Sequence, residues 1–549
     1  MLHTPEKAEN NMTATTWALQ KLYSLSLKSH WKKFLDCTKH PQTKQEQLLK
    51  SFLKRNANSA YGKAYGYENI TSISEFQNKL PIVSYDELEP WIKRAAQGEP
   101  SVLTTEKILM FERTGGSTST NKLIPYTQTL RLEFDAMSKP WMANALNNLS
   151  GLYGTKTYLS ISPATRGQEL TAGGIPIGFE NETEYLNPLN RWLWKQVLAV
   201  PSEIARQTDM HAWKFETSKY LLNCEDLGLL SVWSPTFLIQ LCQFMEANLD
   251  SLLPKLNPKR AQFITAQMNK HGKFVGESIW PHLALLSCWT DGISALFIPE
   301  LKSYFPKVFI QPKGLLATEG VVSFPLLAPA EEGNASPALN LGSVLGIQSH
   351  FLEFLDADNL KNPAVLAHEL QIGKFYSPVL TTGGGLCRYH LRDVVKCNGY
   401  FQHTPLITFE GKLDRTSDLC GEKINARQVE YGLELARTEL GIKWFFAMLV
   451  PVQATPSHYR LYIETDSSEE VVRRAIQILE GHLKSGHHYN YCLSLGQLKP
   501  MTFQKVTNGH ELYTKALLEK GQRQGDIKPT SLDSRLFWPD VFGAQTEIP

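Results

Sequence analysis

The sequence predicts an α/β protein with largely buried sheets, followed by a smaller α+β region. Three observations predict this. Apolar strand-like runs alternate with helical patterns through the first three hundred or so residues. Those runs are apolar enough for strands covered on both faces. After about residue 411 the order changes to helix, two strands, helix, strand and helix, which suits an α+β domain.

The elements follow in order. Residues 17–55 read as helix, with Leu19, Leu22, Leu25 and Leu27, then Trp31 and Phe34, then Leu48, Leu49, Phe52 and Leu53. Residues 56–68, rich in Asn, Gly and Tyr, read as loop. Thr127 caps a helix over 127–149 that carries Leu130, Phe134, Met137, Trp141 and Leu146. Then come a strand at Thr157–Ser162, helices over 191–207 and 211–224, a strand at Leu229–Trp233 and a helix over 235–251. Around 281–288 the pattern fits either a helix or the strand Leu283–Cys288. Residues 328–337 form a Pro/Gly/Asn turn. Short strands follow at Gly346–Ser349, Phe351–Phe354, Pro378–Thr382 and Leu406–Phe409. The last region reads as helix Ala426–Leu440, strands Trp444–Val450 and Tyr459–Glu464, helix Ser468–Leu483, a strand near Met501–Val506 and helix Glu511–Lys520. The polar, glycine-containing stretch 411–418 is the expected linker, giving domains of 1–411 and 412–549.

Composition narrows the function. The chain has 549 residues, 42% of them hydrophobic and 10% aromatic, so it builds full cores and is not disordered. Its 56 basic and 54 acidic residues are well mixed, which argues against nucleic acid as a partner. Eight scattered cysteines show neither zinc spacing nor a disulfide framework, so a reduced, cytoplasmic setting is expected. The start lacks a secretory signal pattern, and no run of about 18 apolar residues exists, so no membrane partner is expected.

Four segments carry the chemistry. In the first, a strand-like run from Ile108 enters Thr114, Gly115, Gly116, Ser117, Thr118, Ser119 and Thr120, then reaches Lys122 and another apolar run. Small residues let backbone amides approach a ligand closely, and hydroxyls beside them suit phosphate oxygens. The plain reading is an ordinary connection. The second segment, Gly314 to Gly320, sets Thr318 and Glu319 between small residues. The third runs from Leu380 through three glycines to Arg388, His390, Arg392 and Asp393. The fourth leads from Phe409 through Lys412, Asp414 and Gly421 to Lys423. Three better-known patterns are absent: Asn121 stands where a P-loop needs glycine before its lysine, the Gly-x-Ser-x-Gly elbow is incomplete, and His368-Glu369 has no second histidine at zincin spacing.

In this order the four segments resemble the core motifs of adenylate-forming enzymes. They resemble most the auxin-responsive Gretchen Hagen 3 branch, the acyl acid amido synthetases. The features that carry it are Phe-Glu-Arg-Thr-Gly-Gly-Ser-Thr before Lys-Leu-Ile-Pro, Tyr376-Ser-Pro-Val-Leu-Thr-Thr-Gly-Gly-Gly-Leu-Cys-Arg-Tyr, and Gly421-Glu-Lys-Ile. The resemblance implies a large N-terminal domain of firefly-luciferase-like type and a small mobile C-terminal domain hinged near Asp414. It implies that Thr114 to Thr120 and Lys122 bind ATP phosphates, and that Thr318 and Glu319 meet the nucleotide, Glu319 holding Mg²⁺. Asp393 is implied to accept hydrogen bonds from the ribose hydroxyls. Lys423 and Lys499 are the implied catalytic lysines.

Two departures stand out. His390 and Arg392 replace the family's usual Arg and Gly before Asp393, and Lys412 stands where an arginine is common. The resemblance implies an ATP-dependent ligase that adenylates a small carboxylic acid and passes the acyl group to an amine such as an amino acid. An acyl-CoA ligase and a catalytically idle binding protein are the alternatives. Segments bearing Trp141, Trp233, Phe237 and Trp289 are the expected walls of a pocket for an apolar or aromatic acid.

Overall fold

A computed structural model describes residues 14–114, 122–159, 169–178, 196–207, 209–327, 341–413, 416–417, 419–420, 422, 424–485, 487–520, 522 and 527–543. The chain divides into two compact units, one of residues 1–391 with 395–409, the other of 392–394 with 410–549. The mixed α/β reading holds for the chain, and the second unit is α+β.

The first unit opens with helices Ala14–Lys39 and Pro41–Asn56. The expected loop at 56–68 contains a short helix, Ala60–Ala64, and a 3₁₀ turn, Tyr67–Asn69. Ser59 makes that helix possible by accepting the Gly62 amide at 2.9 Å, and the buried Tyr61 and Tyr67 anchor it. Five residues are too few to show a helical period in sequence. Thr127 caps helix Gln128–Asn148 as expected, its hydroxyl accepting the Leu130 amide at 3.1 Å.

A parallel sheet of four strands forms one part of this unit. In spatial and chain order these are β1 (Lys156–Leu159), β2 (Leu227–Ser231), β3 (Leu285–Ser287) and β4 (Phe309–Gln311). The leucines of β2 and β3 are buried throughout, as both-face coverage requires. The ambiguous segment near 285 is therefore strand. Helices Met210–Asn223 and Pro235–Ala247 flank β2 in sequence, capped by Asp209 and Ser234. Helix Pro258–His271, unforeseen in the sequence, starts at the Asn257 cap and ends at Gly272, whose φ of 66° only glycine adopts freely.

The expected helix over 191–207 is shortened: of its described residues Gln196 and Val197 are helical, and the helix does not continue beyond Val197. Within its described part, Leu198 makes a bridge to Thr157 and Pro201 precedes a 3₁₀ turn, Ser202–Arg206. Proline there cannot continue a helix from preceding residues. The expected strand Gly346–Ser349 is also corrected: the strand is Ser343–Leu345, and Gly346–Ser349 closes a turn through the Ser349 amide on the Gly346 carbonyl at 2.9 Å. The turn at 328–337 lies outside the described residues.

A larger sheet is mostly antiparallel. Its order is Ser323–Phe324, Ser343–Leu345, Thr404–Lys412, Asp393–Phe401, Phe375–Thr381, Phe351–Asp356 and Val365–Leu366, with Tyr389–His390 added against Phe375–Thr381. In the second unit, Phe446–Val452 and His458–Glu464 pair antiparallel, and Thr502–Lys505 joins parallel. Helices Ala426–Leu440 and Glu469–Lys484 pack on this sheet through Val429, Leu433, Val472 and Leu479. Among the described residues no helix is long and apolar enough to cross a membrane.

Candidate functional site

The hydroxyl-rich loop hangs between two paired strands. Met110–Thr114 and Lys122–Tyr126 run antiparallel with Thr114 opposite Lys122, so both ends of the loop are pinned. Gly115, Gly116, Ser117, Thr118, Ser119 and Thr120 lie outside the described residues, as do Asp414 and Lys423. The Lys122 ammonium sits 5.3 Å from the centre of the Tyr85 ring, whose hydroxyl accepts the Leu123 amide at 2.8 Å.

Thr318 and Glu319 form the tip of a tight hairpin, Leu316–Ala317 against Gly320–Val321. Three contacts hold it. The Tyr126 hydroxyl donates to the Thr318 carbonyl at 2.7 Å, tying the tip to the strand that carries Lys122. The Tyr389 hydroxyl donates to Glu319 Oε1 at 3.3 Å. The Val321 amide donates to His350 Nε2 at 2.9 Å. Because Nε2 accepts, the proton of a neutral His350 is on Nδ1, which donates to Glu133 Oε2 at 2.8 Å.

Glu133 also accepts the Gly383 amide at 2.8 Å, while Thr127 donates to the Gly383 carbonyl at 2.9 Å. A Cβ on Gly383 would lie 2.5 Å from the Thr129 methyl, so the glycine is needed for this close approach. One helix thus clamps two of the four segments. Sequence reading missed Glu133 and His350, because neither belongs to a motif and they are 217 positions apart.

Asp393 lies in the other unit, 2% exposed, with the Lys412 ammonium 2.6 Å from its Oδ1. A point charge meets one oxygen there, not the two that an arginine fork would span. Arg392 keeps φ at 61°, in the left-handed region where the family pattern has glycine. The local turn therefore survives the substitution, at a conformational cost. Arg392→Gly should raise stability by about 0.5–1 kcal/mol, read as a higher chemical-denaturation midpoint at unchanged m-value. His390, the other departure, makes a 2.8 Å contact with the Ser377 hydroxyl in the first unit.

Glu422 stands between Gly421 and Lys423. Burial pushes its pKa up, but the Tyr459 hydroxyl and the amides of Leu419 and Cys420 more than offset this and hold it below the usual carboxylate range. Cys420, Glu422 and Cys492 bring three donor atoms within 4.8 Å of one another, the one such cluster among the described residues. With both Glu422 oxygens already engaged, it reads as a hydrogen-bonded brace. Lys499 is half-buried, and its amide donates to the Ser457 carbonyl at 2.9 Å.

Of the expected aromatic walls, Trp233 and Trp289 meet with ring centres 5.6 Å apart. Trp141 donates through Nε1 to Gln311 Oε1 at 2.9 Å. Phe237 instead packs on Trp213, at 5.8 Å.

The architecture defines the class. The fold is that of an acyl acid amido synthetase structure: the chain superposes on AtGH3.15 in complex with 2,4-DB with a TM-score of 0.81, over 95% of this chain and 97% of that one, at 18% identity. The chain belongs to the GH3 family, whose N-terminal, central and C-terminal domain models match residues 30–256, 343–412 and 427–533. Among its relatives, the indole-3-acetic acid-amido synthetase GH3.3 of Arabidopsis thaliana is 22% identical over 86% of each chain. The jasmonoyl–L-amino acid synthetase JAR4 of Nicotiana attenuata is 24% identical, over 89% of this chain and 91% of its own.

Proposed function

We propose that the protein is an ATP-dependent ligase that activates a small carboxylic acid as its acyl adenylate and transfers the acyl group to an amine, an amino acid being the expected acceptor. The observation that carries this reading is the succession of all three GH3 domains along one chain. The named relatives, amido synthetases for indole-3-acetic acid and for jasmonate, support the same reaction class.

The chemistry follows from the acid. A carboxylate is a poor electrophile because its leaving group would be oxide. A carboxylate oxygen attacks the α-phosphorus of ATP, and the bond to pyrophosphate breaks. The amine then attacks the acyl carbon, AMP departs and the amine loses a proton. The task is mainly positioning and charge stabilisation.

In this reading Thr114 to Thr120 with Lys122 seat the phosphates, Thr318 lines the nucleotide, and Asp393 accepts the ribose hydroxyls. Lys423 and Lys499 are the proposed catalytic lysines, offsetting phosphate charge. The proposed division of labour puts ATP and acid on residues 1–411, with 412–549 as the smaller domain. Mg²⁺ would be held by Glu319, whose hard oxygen on a fixed hairpin suits an ion that takes one or two carboxylates and fills its shell with phosphates and water. When bound it would neutralise phosphate charge. A cytoplasmic setting is part of the proposal.

The test is a panel of aromatic and fatty acids crossed with the amino acids. Pyrophosphate release should require the acid, and AMP release should then require an amine and not CoA. Dependence on CoA would make the protein an acyl-CoA ligase. A melting temperature unmoved by millimolar ATP and Mg²⁺ would leave only a binding protein, since a nucleotide site is stabilised by mass action.

A further inference from the structure

Parallel strands β2, β3 and β4 end in a polar row. Ser231, Ser287 and Gln311 are paired in register across the three strands, so their side chains share one face. The residues before them are leucine, leucine and isoleucine, and all three polar side chains are buried. In a sheet this apolar, two hydroxyls and an amide side by side need a reason, because each costs free energy unless hydrogen-bonded.

Two of the groups around this row are incompletely used. Gln311 is fully buried, and while its Oε1 accepts from Trp141, its Nε2 has no partner. Lys313, two residues beyond the end of β4, has its ammonium 2.7 Å from the Ser231 hydroxyl and 5.2 Å from the centre of the Trp233 ring. No carboxylate pairs with it among the described residues. An ammonium held by one hydroxyl and one aromatic face is short of acceptors. Trp289 stands beside Trp233, and the Trp289 amide donates to the Trp233 carbonyl at 2.8 Å, fixing the pair.

We infer that Lys313, with Ser231 and the Gln311 amide, is an oxyanion subsite for the acid substrate, set against the Trp233–Trp289 wall that receives its flat apolar body. The place fits, because the carboxyl ends of parallel strands are where open α/β sheets present ligands. The chain also runs from Lys313 directly into the Thr318–Glu319 hairpin. A bound oxyanion would supply the charge and the acceptors that Lys313 and Gln311 lack. This inference rests on the proposed ligase reading for the name of its ligand, but the site itself is testable without catalysis.

Protonation gives a second readout. Burial pulls the Lys313 ammonium down to about 8, and the one titratable group acting on it is the Cys288 thiol, itself pushed up to about 12 by burial. Between pH 7 and 9, then, Lys313 loses its charge while Cys288 stays neutral. Oxyanion binding should weaken as pH rises through that interval.

The experiment uses the full chain and three probes: benzoic acid, 4-hydroxybenzoic acid and benzene-1,4-dicarboxylic acid. Their binding is measured calorimetrically without ATP, from pH 6.5 to 9.5, for the wild type, Lys313→Met, Lys313→Arg and Gln311→Leu. Lys313→Met is expected to weaken binding about tenfold or more and to abolish its pH dependence, with an unchanged or raised melting temperature. Lys313→Arg should keep binding and lose the decline above pH 8. If all three probes weaken, the subsite seats the reacting carboxylate; if only the last two do, it seats a second oxygen on the ring. Equal affinities in wild type and Lys313→Met, or no probe binding to the wild type, would overturn the inference. Lysine-dependent binding with no acid-dependent pyrophosphate release would retain the subsite and reject the ligase.

Discussion

Glu319→Ala should lower acid-dependent pyrophosphate release by about 10²–10³-fold and leave the protein folded. The hairpin that carries Glu319 is fixed from three sides: Tyr126 on the Thr318 carbonyl, His350 on the Val321 amide and Tyr389 on the carboxylate itself. Such a frame aims a charge without reorganisation during the reaction, which is where electrostatic catalysis draws its strength. The Tyr389 phenol meets the carboxylate at 3.3 Å, a long contact whose loss should cost no more than about 1 kcal/mol.

Glu319→Gln sharpens the test. It keeps the shape and an acceptor for Tyr389 but loses the charge, so activity should fall as far as in the alanine variant at an unchanged melting temperature. The apparent Mg²⁺ requirement should rise in both. Full activity in Glu319→Gln at ordinary Mg²⁺ would remove this residue from the metal and phosphate chemistry.

What the sequence disclosed and what it hid divide along a physical line. Local signals were legible. Thr127 caps the helix that follows it, because a cap depends on residues within one turn. Thr318 and Glu319 stood out since a lone carboxylate among small residues is a local pattern, and the structure puts them on a hairpin tip. Two readings missed where a local pattern was outweighed: the helix expected over 191–207 gives way at Leu198, which bridges to Thr157, and Gly346–Ser349 turns where an extended run was expected.

The hidden part is everything made by register and long-range pairing. Nothing near Glu133 announces that it bridges His350 and Gly383. Nothing near Lys313 announces a row built from three strands, because Ser231, Ser287 and Gln311 become neighbours only when the parallel sheet forms. The origin of Arg392's positive φ is a middle case. The sequence shows a departure from glycine, and only the backbone shows that the turn kept the glycine conformation.

Arg388→Ala should destabilise the first unit by about 3–5 kcal/mol, enough to lower the melting temperature markedly and to deplete folded protein at 37 °C. The Arg388 side chain is 5% exposed, and it meets Glu353, which is fully buried, through two parallel bonds: Nε to Oε2 at 3.0 Å and Nη2 to Oε1 at 2.8 Å. Its Nη1 donates to the carbonyls of Gln77 and Leu80, and the guanidinium lies 5.7 Å from the Phe76 ring centre. One side chain therefore joins the sheet strand Phe351–Asp356 to the end of helix Ile73–Lys79.

Truncation would strand the Glu353 carboxylate in the interior with Gln77 Nε2, at 2.9 Å, as its remaining side-chain donor. That uncompensated charge, more than the lost attraction, sets the size of the effect. The double variant Arg388→Met with Glu353→Leu separates the two contributions. Removing both charges together should recover most of the lost stability, because an ion pair and a well-packed apolar pair of similar volume differ little in the interior. Urea denaturation of the two single variants and the double variant gives the coupling directly. If the double variant is as unstable as Arg388→Ala, the guanidinium acts through the Gln77 and Leu80 carbonyls and not through Glu353. The same measurement bears on the site, because Arg388 directly precedes Tyr389, the residue whose hydroxyl holds Glu319. Activity in the double variant should then return along with stability, since Tyr389 needs a fixed strand and not a charge beside it.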